Sequence, residues 1–195
     1  MGIQEGQSLL HWNYFLALEA DVEQLARYIE FAEQNFDVYS TELAHIFLAS
    51  CSEVDVIAKQ LCKQLNTEST ANNISQYKNE LRANLPELAD MEVTIPRYAL
   101  TLTPWSNWKQ DKTPIWWLSH NNVKHQRNQH YSEANLKNTL NSVAALFCLI
   151  VLYYRNVIDG RRIEPPPNFF TPPPEVATVC PSVGGRMAMF YAQER

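Results

Sequence analysis

The chain is predicted to be all-α: a helical bundle of about four to five helices, with an extended Trp/Pro-containing excursion before the last long helix and a Pro-rich C-terminal arm. Three observations predict it. Apolar residues step by three or four over long stretches, which is the helix period. Glycine is scarce, at five in 195 residues, so the usual punctuation of a sheet protein is thin. The eleven prolines are clustered rather than spread, leaving long stretches free to be helical.

The first helix is predicted over about Leu16 to Tyr39, from the spacing of Leu18, Val22, Leu25, Ile29, Ala32 and Phe36. Ser40-Thr41-Glu42 marks a brief break or cap. A second helix runs to about Leu65 on the stripe Leu43, Phe47, Val54, Ala58, Leu61 and Leu65, widened by Ile46 and Ile57. After the polar loop 66–73, a shorter helix from Ser75 stops near Pro86.

EVTIPRYALTLTPW then alternates partly, and Pro96 and Pro104 limit any ladder, so an extended or edge-strand excursion is expected. Trp105, Trp108, Trp116 and Trp117 follow within thirteen residues. Four rings in a linking segment are expected to close the core over a helix end or form a dimer contact. Stacking on the bases of a single strand is the sharper alternative. The last helix begins between Asn121 and Ser132 and runs to about Val157, apolar all round from Val143. Residues 1–160 are read as the bundle domain and residues 161–195 as the extended arm. That arm contains EPPPNFFTPPPEV and can pack on the body or meet a protein partner.

Composition narrows the function classes. The net charge is −5, but residues 1–96 hold five Lys/Arg against fifteen Asp/Glu, while residues 97–137 hold six against two. A local basic segment on an acidic chain is the kind of footprint a phosphate ligand leaves. No basic leader precedes an apolar run, and the longest apolar run, Val143 to Tyr154, is twelve residues, so a cytoplasmic protein with no membrane contact is expected. Cys51, Cys62, Cys148 and Cys180 have no CxxC spacing and are read as buried thiols. Walker A, GxGxxG, GxSxG and HExxH motifs are absent, and no cofactor is expected.

The functional signal is HNNVKHQRNQH, His120 to His130, which carries three of the five histidines beside Lys124, Arg127 and amide side chains such as Asn122. If the run is helical, Lys124, Arg127 and His130 or Tyr131 share one face. A guanidinium binds a phosphate through two parallel hydrogen bonds. An imidazole titrating near neutrality can accept and return a proton. His120, His125 and His130 are five apart and so point about 140° from one another on a helix, which argues against a metal site. On the second helix Glu53 sits at the edge of the apolar stripe, where a half-buried carboxylate needs a partner. That partner is either an Arg or His of the last helix or a neighbouring Lys.

Glu53 followed by Lys59 on a long second helix, with Arg127-Asn128-Gln129-His130 at a later one, resembles the HEPN superfamily of small helical bundles. The resemblance spans roughly residues 16–157 and rests on those few residues. It implies a metal-independent endoribonuclease of a bacterial defence or toxin–antitoxin type, acting in a cleft between two copies. Carried over, Arg127 would stabilise phosphate charge, His130 would move a proton and Asn128 would position either group. Lys124, His125 and Asn122 would hold the substrate, with Glu53 in support. The sequence departs from the pattern in spacing, since two residues separate Arg127 from His130 where four to six are usual. The same resemblance includes members without turnover, so a binding or scaffold module contacting phosphate or a protein partner through residues 120–131 is the alternative.

Overall fold

The computed structural model describes residues 8–155, 157, 162–182 and 185–192. Among the described residues five α-helices form the body of the fold: α1 (Leu10–Leu25), α2 (Thr41–Leu65), α3 (Ile74–Asn84), α4 (Ile115–His130) and α5 (Leu136–Tyr154). Five short strands accompany them: β1 (Val93–Ile95), β2 (Leu100–Leu102), β3 (Arg162–Ile163), β4 (Ala177–Pro181) and β5 (Met187–Tyr191). The fold is therefore mostly helical rather than all-α, because two small antiparallel sheets are built on it.

Three helix starts follow from side-chain caps. Ser40 Oγ accepts from the Leu43 N–H at the head of α2, Asn73 from Gln76 at α3, and Asn135 from Asn138 at α5. α3 stops one residue short of the Leu85-Pro86 step, since proline excludes the helical conformation from the residue before it.

α5 is the axis of the fold and packs most extensively on α2. It is long and apolar enough to cross a membrane by length and composition, yet it is mostly buried against the other elements. Polar atoms on this seam are paired: Ser50 and Ser142 hydroxyls meet at 2.6 Å, and Thr139 Oγ1 donates to the Asn135 carbonyl. Phe15 of α1 stacks on Phe147 of α5 with ring centroids 4.7 Å apart.

The first helix differs from the expected span. It begins at Leu10 and ends at Leu25, and Trp12 and Phe15 extend its buried stripe toward the N-terminus. The apolar steps at Ile29 and Phe36 continue the helix period, but the intervening Phe31 is an independent anchor, packed against Tyr98 and Phe169. Anchors of a loop can mimic a helical stripe when each is buried separately.

The excursion forms a hairpin, with Val93 opposite Leu102 and Ile95 opposite Leu100. The four tryptophans are buried, and Trp105 and Trp116 donate their indole N–H groups to the carbonyls of Ala145 and Pro104. They close the core.

The arm is not simply extended. β3, β5 and β4 pair in that order into an antiparallel sheet, and the Pro-rich stretch that links β3 to β4 lies on the bundle. Trp12 Nε1 donates to the Pro165 carbonyl at 2.9 Å. The Glu19 carboxylate of α1 accepts from the backbone N–H groups of Asn168, Phe169 and Phe170 at 2.9–3.0 Å. Thr171 bridges to Thr94 of β1. Phe169 and Phe170 belong to the same core as α1 and α5, so the segment completes the bundle. Pro167, Pro172 and Pro173 are buried there, whereas Pro165 and Pro174 are exposed. The division expected at 160/161 falls on residues outside the described ones.

Candidate phosphate-binding site between α2 and α4

The His120–His130 run is the end of its own helix, α4, and not the start of the last one. α4 is bent where Gln126 takes φ −139° and ψ 45°, and α5 begins only after a 3-10 turn, Tyr131–Glu133. The uninterrupted helical face assumed for Lys124, Arg127 and His130 is therefore broken between the first and the second.

The bend nevertheless gathers most of the basic groups on one cavity of about 920 Å³. α4 contributes Lys124, His125, Arg127 and Asn128, and Tyr131 closes one end. Opposite stand Thr41, Ala44, His45 and Leu48 of α2, one face of that helix at its three- and four-residue spacing. The Thr41 and Tyr131 hydroxyls meet at 3.0 Å across the two walls.

Electrostatics distinguish this cavity. No carboxylate is among its lining residues. Among the described residues neither Lys124 nor Arg127 has an ion-pair partner, whereas Lys59, Lys78, Lys109 and Arg155 each have one. His45 lies 3.8 Å from Glu42, and both are largely exposed. Two unneutralised cations and two imidazoles on an otherwise acidic protein form a concave site for an anion.

Three expected site residues are placed differently. His130 does not line the cavity; its Nδ1 is held 2.6 Å from Glu133 Oε1. Asn122 donates to the same carboxylate at 3.0 and 3.2 Å and so serves Glu133 rather than the cavity. Burial pulls the Glu133 carboxyl upward, but hydrogen bonds from Asn122, His130 and Ser119 outweigh it and hold the group below its ordinary range. Glu53 pairs with His11 Nδ1 at 2.6 Å between α1 and α2, so its partner comes from the first helix and not the last.

Tyr131 lines the cavity as its place on the Lys124 face predicts, whereas His45 and Thr41 are polar lining residues that sequence reasoning missed. Their signal was faint: His45 is a lone histidine on the polar side of an amphipathic helix. Only the packing of α2 against α4 brings it opposite Arg127. Among the described residues no cluster of three His, Cys, Asp or Glu is placed to hold a metal ion.

No family model, curated protein or solved structure matches the chain.

Proposed function

We propose that the protein binds RNA, and that the cavity between α2 and α4 holds one of its backbone phosphates. The observation that carries this reading is the pair of cations, Lys124 and Arg127, which line a concave surface without a carboxylate to neutralise them. Arg127 supplies the bidentate contact and Lys124 a point charge. Asn128 and Thr41 supply neutral hydrogen bonds to sugar or phosphate oxygens.

A second reading adds turnover, as in the ribonucleases of the HEPN superfamily that the 127–130 motif resembles. His45 and His125 line the same cavity as Arg127, and metal-free cleavage needs two proton carriers. One imidazole takes the proton of the ribose 2′-hydroxyl as its oxygen bonds to phosphorus. The phosphorus–O5′ bond breaks as the other imidazolium returns a proton to the leaving oxygen, and a 2′,3′-cyclic phosphate remains. In this reading Arg127 stabilises the pentacoordinate phosphate. His130, oriented by Glu133, would reach a phosphate only across a pair of copies, and sedimentation of the protein tests that pairing.

One experiment addresses both readings. Labelled single-stranded RNA is titrated with wild type, Lys124→Ala and Arg127→Ala at several salt concentrations with EDTA present, and each sample is then run on a denaturing gel. Each substitution is expected to weaken binding about tenfold and to lower the magnitude of the salt slope by about 0.7, one phosphate contact on a single strand. Unchanged affinity and slope in both variants would sink the phosphate site. Products ending in 2′,3′-cyclic phosphate, lost in His45→Ala or His125→Ala, would support turnover. Bound but intact RNA would leave a binding module.

A further inference from the structure

A second cavity, of about 530 Å³, adjoins the first and shares Leu48 and Lys124 with it. Its remaining wall includes His120, Trp117 and Asn121 of α4, and Asp55 and Ser52 of α2. Its volume falls in the range of small-molecule sites, and a few convergent polar groups stand among apolar ones.

His120 is the anomaly of this cavity. The side chain is 5% exposed and lies against Trp117 and Phe47, with ring centroids 5.3 and 6.2 Å away. Its Nδ1 is sealed and makes no hydrogen bond among the described residues. A buried polar atom left unmade is a cost that a phenylalanine in the same aromatic nest would avoid. Burial foremost, with Lys124 and His125 adding to it, drives the imidazole down to about 4. The ring is therefore neutral at neutral pH and gives the cavity an uncharged polar wall.

Asp55 adds an acceptor. Its two oxygens accept from the Tyr77 hydroxyl at 2.9 Å and from Lys59 Nζ at 3.4 Å, which holds the carboxylate in place and leaves it lone pairs to spare. A carboxylate accepts only, so it meets a base through an N–H donor, either an exocyclic amino group or the ring N–H of guanine or uracil. The Asn121 amide both donates and accepts.

Resting on the phosphate reading above, we infer that this second cavity seats the base of the nucleotide whose phosphate is held at Lys124 and Arg127. Asp55 stands there to accept from an N–H on the edge of that base. Lys124, on the shared wall, stands at the junction between phosphate and base.

The test is calorimetric titration of wild-type protein with the four nucleoside 3′,5′-bisphosphates and with the abasic sugar bisphosphate. The base-bearing nucleotides are expected to bind about tenfold more tightly than the abasic compound, the gain typical of one well-seated base. In His120→Phe and Asn121→Leu that gain should fall to about twofold or less while abasic binding holds, a split that loss of folding cannot produce. Equal binding of base-bearing and abasic compounds overturns the base pocket and leaves the phosphate site standing. Binding of none of them, abasic included, overturns the phosphate reading and this inference together.

Discussion

Glu19→Ala is expected to destabilise the protein by about 3–6 kcal/mol, since each buried backbone donor left unpaired costs about 1–3 kcal/mol. The N–H groups of Asn168, Phe169 and Phe170 all end on this one carboxylate, and the Glu19 side chain is almost completely buried. Burial pushes the Glu19 carboxyl above its ordinary range, and the three N–H donors only partly restore it. The charge is thus held in the core by that turn of backbone alone. Urea unfolding measures the loss, and proteolysis between residues 162 and 182 reports whether the segment leaves the bundle before the rest unfolds. A loss under 1 kcal/mol with an unchanged cleavage pattern would show that the aromatic packing of Phe169 and Phe170 suffices to hold the segment.

Acidification through His120 is the second large effect. The folded imidazole titrates at about 4 against an ordinary 6.5, so between those values the unfolded chain takes up a proton that the fold refuses. Stability from this group is complete above pH 6.5 and is lost as pH falls toward 4, by about 2–4 kcal/mol over that window. Lys124 and His125 on α4 oppose protonation together with burial, and Asp55 on α2 favours it. In His120→Phe the stability difference between pH 7 and pH 4.5 should shrink, with a gain of about 1 kcal/mol at pH 7 from removal of the unpaired nitrogen. Parallel pH profiles for the two proteins would refute this account of the imidazole. A more stable variant that has also lost base preference would mark a position where stability is yielded to a ligand.

The parts of the fold legible in the sequence are those where one helix buries one stripe. α2 and α3 fall close to their expected spans, and the apolar wall of α5 announces its burial. The errors lie where several anchors act separately. Ile29 and Phe36 prolonged a helical period through a loop. The stretch from Asn121 onward reads as the start of the last helix because Tyr131, Ser132 and Glu133 carry no glycine or proline to mark the turn. The strand pairs Ala177–Pro181 and Met187–Tyr191 were hidden beside a proline-rich composition that suggests extension without pairing.

The same logic divides the site. Lys124, His125, Arg127 and Asn128 could be read as a local density of donors, and they do share a cavity. The attachments of His130 to Glu133 and of Glu53 to His11 depend on which neighbour folds closer, and spacing cannot rank neighbours. The role of His120 was legible least of all, because an unpaired buried nitrogen exists only in three dimensions.

The docking of residues 165–170 onto α1 sets an order of events during synthesis. Glu19 and Asn168 are 149 positions apart, and Trp12 and Pro165 are 153 apart. On a ribosome adding about 5–20 residues per second, α1 waits roughly 8–30 s before the backbone that surrounds Glu19 exists. Through that interval Phe15 and a carboxylate destined for the interior share an unfinished surface, the kind of exposed apolar patch that chaperones hold. A nascent chain released before residue 165 would carry every helix yet lack the segment that seals the first of them.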